Sequence, residues 1–540
     1  MNILDEIRAR HRATEALPLP DNLSALLNQA AERFGAKEFL NFFEQGVSLS
    51  FAEVRDQVHC LAHGLSRIGV RKGSHVAVML PNLPAYPITW FALATLGAVM
   101  IPVNNRYTPR ELTYIVTDAE ATFLVVHADY FEILDQVDKA TFPIADECVV
   151  TVGDRRNGLL HHWRDLMAGG DAGFAAPEPV TADDLLNIQY TSGTTGFPKG
   201  CMQTHRYWTE VGACTGALVN FTIKRILCAQ FFYYLDPQLY VVAALNQGAA
   251  VCFADKPRAS KFMTWVHDHD IDFVFMFEPI FKQPAHPQDG DNKLQLACLF
   301  GLTRDSHTEL EARFQTTARE WYGMTEIGGA LYMPMEIDHM SGSGSCGIPT
   351  PFHDVTIRNP ETQEPVEPGE AGELWVRGPG IMKGYYNKVE ANAECFVDGW
   401  FRTGDLFRCD DQGFHYIVGR VKDMIRRSAE NIAAREVEAV LRSHPDIAEA
   451  AVVAVPDDYR GEEVKAYVQL ADGMTPDDLS PDAILEHCAR DLAAFKLPRY
   501  IEYRDGFSYG PSDRVEKHKL TAGGADLRLN SYDRVDQLWR

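Results

Sequence analysis

Between Thr191 and Gly196, within the run Tyr190-Thr-Ser-Gly-Thr-Thr-Gly-Phe-Pro-Lys-Gly200, stand four hydroxyl side chains and two glycines, with Lys199 close behind. Glycines let a backbone approach phosphate closely, hydroxyls donate to phosphate oxygens, and an ammonium adds a point charge. Thr191, Ser192, Gly193, Thr194, Thr195, Gly196 and Lys199 are therefore candidates for holding nucleotide phosphates. A Walker A loop needs a Gly-Lys pair followed by Ser or Thr. Here Lys199 precedes Gly200 and no hydroxyl follows the lysine, so that class is excluded. The plain alternative is a flexible Ser/Thr/Gly turn, but eleven positions of such composition seldom make a mere turn.

Two further runs lie downstream, Trp321-Tyr-Gly-Met-Thr-Glu-Ile-Gly328 and Trp400-Phe-Arg-Thr-Gly-Asp405, followed by Gly419-Arg420. Taken singly, each reads as a strand ending in a turn. In this order they resemble the signatures of the adenylate-forming superfamily of acyl-CoA synthetases, luciferases and peptide-synthetase adenylation domains. The resemblance spans nearly the whole chain. The texture around Val103-Asn-Asn-Arg-Tyr107, Leu235-Asp-Pro-Gln238 and Phe262-Met-Thr-Trp265 is similar to crotonobetaine/carnitine-CoA ligases.

The resemblance implies that residues 191–196 and Lys199 wrap the β- and γ-phosphates of ATP. It places Tyr322 at the adenine, Gly323 beside it in the ATP site, Thr325 near the α-phosphate and Glu326 on Mg²⁺. Each role suits its chemistry: an aromatic face stacks a base, and a carboxylate is a hard ligand for Mg²⁺. Asp405 would accept hydrogen bonds from the ribose hydroxyls, as two carboxylate oxygens can, and Arg420 would contact ribose and phosphate. Lys422 falls at the family's hinge, where a solvated residue absorbs a large backbone change.

Three departures from the family pattern stand out. Aligning Pro511-Ser-Asp-Arg-Val515 on the usual lysine-bearing run puts Arg514 at the catalytic cation, with Lys517 three residues on as the other candidate. Arg keeps the charge but has a broader, planar head. In Ser428-Ala-Glu-Asn431, the thioester loop carries Ser428 and Ala429 where glycines are common, followed by Glu430. If position 429 needs a left-handed backbone, Ala costs on the order of 1 kcal/mol. Tyr234 stands where a His often follows an aromatic residue, and Asp236 beside it either faces a cationic acyl group or caps a helix.

The expected activity is an acid–thiol ligase that makes an acyl-adenylate with release of pyrophosphate, then a CoA thioester with release of AMP. The chain ends soon after its C-terminal module with no carrier segment, which favours CoA over an amine or carrier acceptor. A nucleotide-binding relative without catalysis is the remaining alternative. The expected partners are a small carboxylic acid, ATP with Mg²⁺, and CoA.

A chain of 540 residues exceeds one ordinary core and calls for two or more domains. Strand-like 76–80, 100–103 and 122–126 alternate with helical 23–34, 54–68, 90–96 and 109–119, and a second such set follows 207, arguing an α/β fold with largely parallel sheets flanked by helices. Short strands with Gly/Pro/Asp turns fill a β-rich subdomain at about 340–421, and a small mobile α+β domain occupies 422–540, the N-terminal domain being 1–421. Net charge −24 gives no nucleic-acid footprint. Eleven scattered cysteines without a C-x-x-C pair give neither a zinc knuckle nor a disulfide framework. The apolar stretch 86–103, interrupted by Pro87, Gly97 and Pro102, reads as a buried helix and strand rather than a membrane span. A cytoplasmic protein is expected, with a homodimer as the base-rate assembly.

Overall fold

The computed structural model describes residues 3–191, 198–300, 304–427, 430–509, 515–521 and 526–540. The chain divides into two compact units, Met1–Val355 with Val376–Phe401, and Thr356–Trp375 with Arg402–Arg540.

In the first unit a seven-stranded sheet runs His161–His162, Val149–Val152, Phe123–His127, His75–Met79, Val99–Pro102, Leu185–Thr191, Lys199–Thr204. Its neighbours are parallel except the last pair, which is an antiparallel hairpin. A nine-stranded sheet runs Ile348–Pro349, Gly328–Tyr332, Thr317–Met324, Leu296–Leu299, Phe273–Phe275, Arg225–Cys228, Ala250–Phe253, Glu38–Phe42, Val47–Ser50. It is parallel in the middle and antiparallel at both ends. Parallel strands are covered on both faces and so read as unbroken apolar runs, as Val76 to Met79 does.

The helix Ala85–Leu96 is buried along its whole length. Its core cluster takes in Val76 and Val78 of one sheet and Ile226 and Val251 of the other, so an all-round apolar helix has apolar neighbours on every side. The helix starts earlier than expected because Pro87 falls in the first turn, where no intrahelical N–H bond is lost. Gly97, at φ 67°, ends it by returning its N–H to Leu93 and Ala94. Among the described residues no helix is long and apolar enough to cross a membrane.

The second unit contains a seven-stranded sheet in which Ile447–Asp457 pairs antiparallel with Gly461–Leu470, and Tyr500–Tyr503 lies parallel on the latter's other side. Helices Ala434–Arg442 and Pro481–Asp491 close its core around Val437, Leu441, Val452, Val464, Ile484 and Ile501. The strand His415–Arg420 pairs with Asp405–Cys409 in this same unit. The expected boundary at 421/422 therefore lies inside the second unit, and the β-rich segment is shared between the two units.

Candidate active site

The hairpin register pairs Tyr190 with Gly200 and Thr191 with Lys199, so both ends of the phosphate run are fixed by strand pairing. Ser192, Gly193, Thr194, Thr195 and Gly196 lie outside the described residues. The Tyr190 hydroxyl donates to Asp118 at 2.7 Å, and Lys388 pairs with the same carboxylate. Burial and the Asp118 charge push the Tyr190 phenol far above its usual range, so it stays a donor. Gly200 is required locally: an added Cβ would meet Ile188 Cγ2 at 2.4 Å.

The second motif occupies the end of the strand Thr317–Met324 and the turn after it. Tyr322 is buried opposite Leu331, and the register slips between Tyr322 and Gly323. A side chain at Gly323 would strike the Gly328 carbonyl oxygen at 2.3 Å, so the bulge admits only glycine. The Thr325 carbonyl accepts from Gln203 Nε2 at 2.9 Å and Tyr207 Oη at 3.2 Å. Glu326 is 6% exposed, a buried carboxylate rather than a surface turn residue.

Sequence reasoning missed the group that joins these two motifs. Tyr385 donates to Glu326 Oε1 at 2.8 Å, while Lys199 Nζ sits 4.8 Å from the centre of the same ring. The segment around it is stitched to the hairpin: Lys383 N donates to the Met202 carbonyl and Tyr386 N to that of Gly200, each at 2.8 Å. Burial, then the Glu326 charge, drives the Tyr385 phenol up and keeps it protonated. Nothing in the pair Tyr385-Tyr386 marks it out in sequence; only the pairing brings it here. Among the described residues no group of three His, Cys, Asp or Glu side chains could hold a metal. Mg²⁺ takes one or two carboxylates and fills its shell with phosphate oxygens and water. Glu326 fits such an ion.

The candidate acyl segment leads into the helix Leu235–Gln247. Tyr234 is at its N-cap and exposed, and its side chain makes no capping bond. Asp236 sits in the first turn, so the capping role considered for it is wrong: its Oδ2 accepts from Gln230 Nε2 at 3.3 Å instead. Burial raises its pKa. Buried amides unseen in the sequence pin the segment before it. Asn82 receives the Phe232 N–H at 2.9 Å and donates to the Gln230 carbonyl at 2.8 Å. Gln189 donates to the Tyr233 carbonyl at 2.7 Å, and Gln238 to that of Phe232 at 3.1 Å.

The second unit carries the other assigned residues. Asp405 is buried opposite Arg420 in register, with Nε to Oδ1 at 2.9 Å. Glu373 holds the turn before it, accepting from Gly404 N at 3.1 Å and Arg402 Nε at 3.0 Å. Lys422 lies exposed in the short 3-10 turn Val421–Asp423. Partial desolvation lowers its pKa against the pull of Asp423, and the charges of Arg420 and Lys517 add to the lowering. Lys517 Nζ is bound to the buried Glu438 at 2.6 Å, and that same carboxylate oxygen accepts Val452 N at 2.7 Å. Ser428, Ala429 and Arg514 lie outside the described residues; Glu430 begins the strand Glu430–Ala433.

The hairpin end at Lys199, Tyr385 and the buried Glu326 thus come together in the first unit. The family model for the AMP-binding enzyme matches residues 27–386, and that for the AMP-binding enzyme C-terminal domain matches 436–508. The chain belongs to the AMP-binding enzyme family. It is 31% identical over 491 residues to the crotonobetaine/carnitine–CoA ligase of Proteus mirabilis, covering 87% of this chain and 92% of that one. It is 32% identical over 488 residues to the feruloyl-CoA synthase of an Amycolatopsis species, covering 88% and 94%. Among solved structures, ATP-bound MatB from Rhodopseudomonas palustris superimposes with a TM-score of 0.81 at 26% identity, over 92% of this chain and 98% of that one. Crotonobetaine/carnitine–CoA ligases are thus among its relatives, at the same level of identity as a synthase for a different acid.

Proposed function

We propose that the protein is an ATP-dependent, AMP-forming carboxylic acid–CoA ligase. The observation that carries this reading is the Lys199–Tyr385–Glu326 chain, which ties the phosphate hairpin to the second motif within one unit. In the first half-reaction a carboxylate oxygen attacks the α-phosphorus, and the bond to pyrophosphate breaks. Lys199 lies at the root of the phosphate run and contributes positive charge there; Thr325 offers a hydroxyl. Mg²⁺, when bound at Glu326, supplies charge neutralisation for the phosphates. Tyr385 fixes the Glu326 carboxylate through its phenol proton. Asp405 and Arg420 take the ribose, and Lys517 or Arg514 supplies the cation for adenylation. In the second half-reaction the CoA sulfur attacks the acyl carbon, AMP leaves with the carboxylate's transferred oxygen, and the thiol proton passes to solvent. Residues Ser428 to Glu430 serve this step, with rotation of the C-terminal domain about Lys422 between the two. The acid binds beside Tyr234 and Asp236. A cytoplasmic homodimer completes the reading.

ATP–pyrophosphate exchange across a panel of acids, followed by thioester detection with CoA, tests it. Exchange and thioester are both expected for at least one acid. Exchange without thioester would move the acceptor away from CoA; no exchange with any acid would end the reading.

A further inference from the structure

Glu210 is a buried carboxyl that the reaction above does not use. It lies on the helix His205–Leu218, is 4% exposed, and faces the Gly380 N–H rather than any side-chain partner. Its head presses on the backbone at Gly380, where an added Cβ would meet Oε2 at 2.1 Å and Cδ at 2.9 Å. Two residues on, Met382 N donates to the Glu326 carbonyl at 2.8 Å, and Tyr385 then reaches the Glu326 carboxylate. At the near end Gly378 is equally confined, a Cβ there meeting the Phe352 carbonyl oxygen at 2.3 Å. The segment 378–385 is thus closely packed at Gly378, touched by Glu210 at Gly380 and hydrogen-bonded to Glu326 from Met382 and Tyr385.

We propose that Glu210 is a positioning residue for adenylation, its carboxyl setting the height of the 378–385 segment and so the placement of Tyr385 and Glu326. The role rests on the adenylation reading but acts through backbone placement, which can be measured apart from catalysis. Neutral Glu210 suits the site. Burial pushes its pKa up to about 7, with Arg206 and the Gly380 N–H opposing. The other charged and titratable groups near it are few. Arg206, one turn before it, is itself paired with Asp183 at 3.5 Å; Cys214 lies one turn after, with Glu15 of the N-terminal helix beyond; the 378–382 segment offers only backbone.

The experiment compares wild type, Glu210→Gln and Glu210→Ala by hydrogen–deuterium exchange of peptides covering 378–386 and by the pH profile of ATP–pyrophosphate exchange. Glu210→Ala is expected to accelerate deuterium uptake in 378–386 and to cut kcat by about 10- to 100-fold, the scale of a small misplacement of reacting groups. Glu210→Gln, which keeps the shape and the neutral state, is expected to stay within about twofold of wild type near pH 6 and to lose the fall in rate above about pH 7. Uptake in 378–386 unchanged in Glu210→Ala would overturn the proposal, as would a fall above pH 7 that persists in Glu210→Gln. Should wild type activate no acid, the ligase reading fails while the deuterium comparison still decides the positioning role.

Discussion

At the level of single residues, adenylation as proposed depends on Glu326 and on the Tyr385 phenol that donates to it. Glu326→Gln keeps the size of the side chain but removes a hard anionic ligand, and a loss of about 100-fold in exchange is expected, the scale of removing one preorganised charge contact. Tyr385→Phe removes only the 2.8 Å hydrogen bond to that carboxylate. A bond to a charged group contributes about 1.5–3 kcal/mol, so the Mg²⁺ concentration for half-maximal exchange should rise about tenfold or more, while Tm changes little. An unchanged Mg²⁺ requirement in Tyr385→Phe would remove the phenol from the account. At the thioester loop, Ala429→Gly should raise the rate of thioester formation and leave pyrophosphate exchange unaltered; a slower second step would count against the steric argument drawn from the sequence. Glu326 could be named from its motif, but its burial could not, because the Tyr385 that covers it stands 59 positions away in the chain.

At the level of elements, the strand Thr317–Met324 must hold Tyr322 and Gly323 still, and a buried charged hub behind it does so. Glu311, on the helix Arg304–Phe314, accepts from Ala318 N at 2.8 Å, Arg319 Nη1 at 2.9 Å and Ser341 Oγ at 2.8 Å. Burial opposes its charge, yet His307 and these donors hold its pKa down at about 2. Burial likewise opposes charge on His307, but Glu311 and Glu320 raise it to about 9. A raised histidine stabilises the fold fully below its unfolded value of about 6.5, and that stability is lost as pH climbs through about 9. The depressed Glu311 stabilises above about 4.5 and loses its contribution as pH falls toward 2. Wild-type Tm should therefore fall more steeply between pH 6.5 and 9 than that of His307→Gln; parallel slopes would show that the ring is not charged. Apolar period made the helices Leu23–Phe34 and Pro109–Asp118 readable; the capping box of Thr108 and Glu111 that opens the latter came only with the structure. The strand Met424–Arg427 was not readable, because Arg426 and Arg427 follow one another and only pairing with Glu430–Ala433 and Gly461 makes them a strand. The amides Asn82 and Gln189 escaped notice for a related reason: their partners are backbone groups of a distant segment, which no local pattern announces.

At the level of the whole molecule, the α/β class follows from strands alternating with helices, whereas the division into two compact units is not local in the chain. It follows long-range pairing: His415–Arg420 is bound to Asp405–Cys409, and the turn before Asp405 to Glu373, all within the second unit. If rotation about Lys422 serves the second half-reaction, Lys422→Pro should spare pyrophosphate exchange and cut thioester formation by about tenfold or more, because proline fixes φ at that residue and restricts the one before it. Equal loss of both steps would make the turn Val421–Asp423 a structural element only. The central claim, attack of the acid on the α-phosphorus, is tested most directly by isotope transfer. An accepted acid labelled with ¹⁸O at both carboxylate oxygens is turned over with ATP and CoA, and the products are weighed by mass spectrometry. Attack on the α-phosphorus leaves one labelled oxygen in AMP, one in the thioester carbonyl and none in pyrophosphate; label in inorganic phosphate with formation of ADP would rule it out.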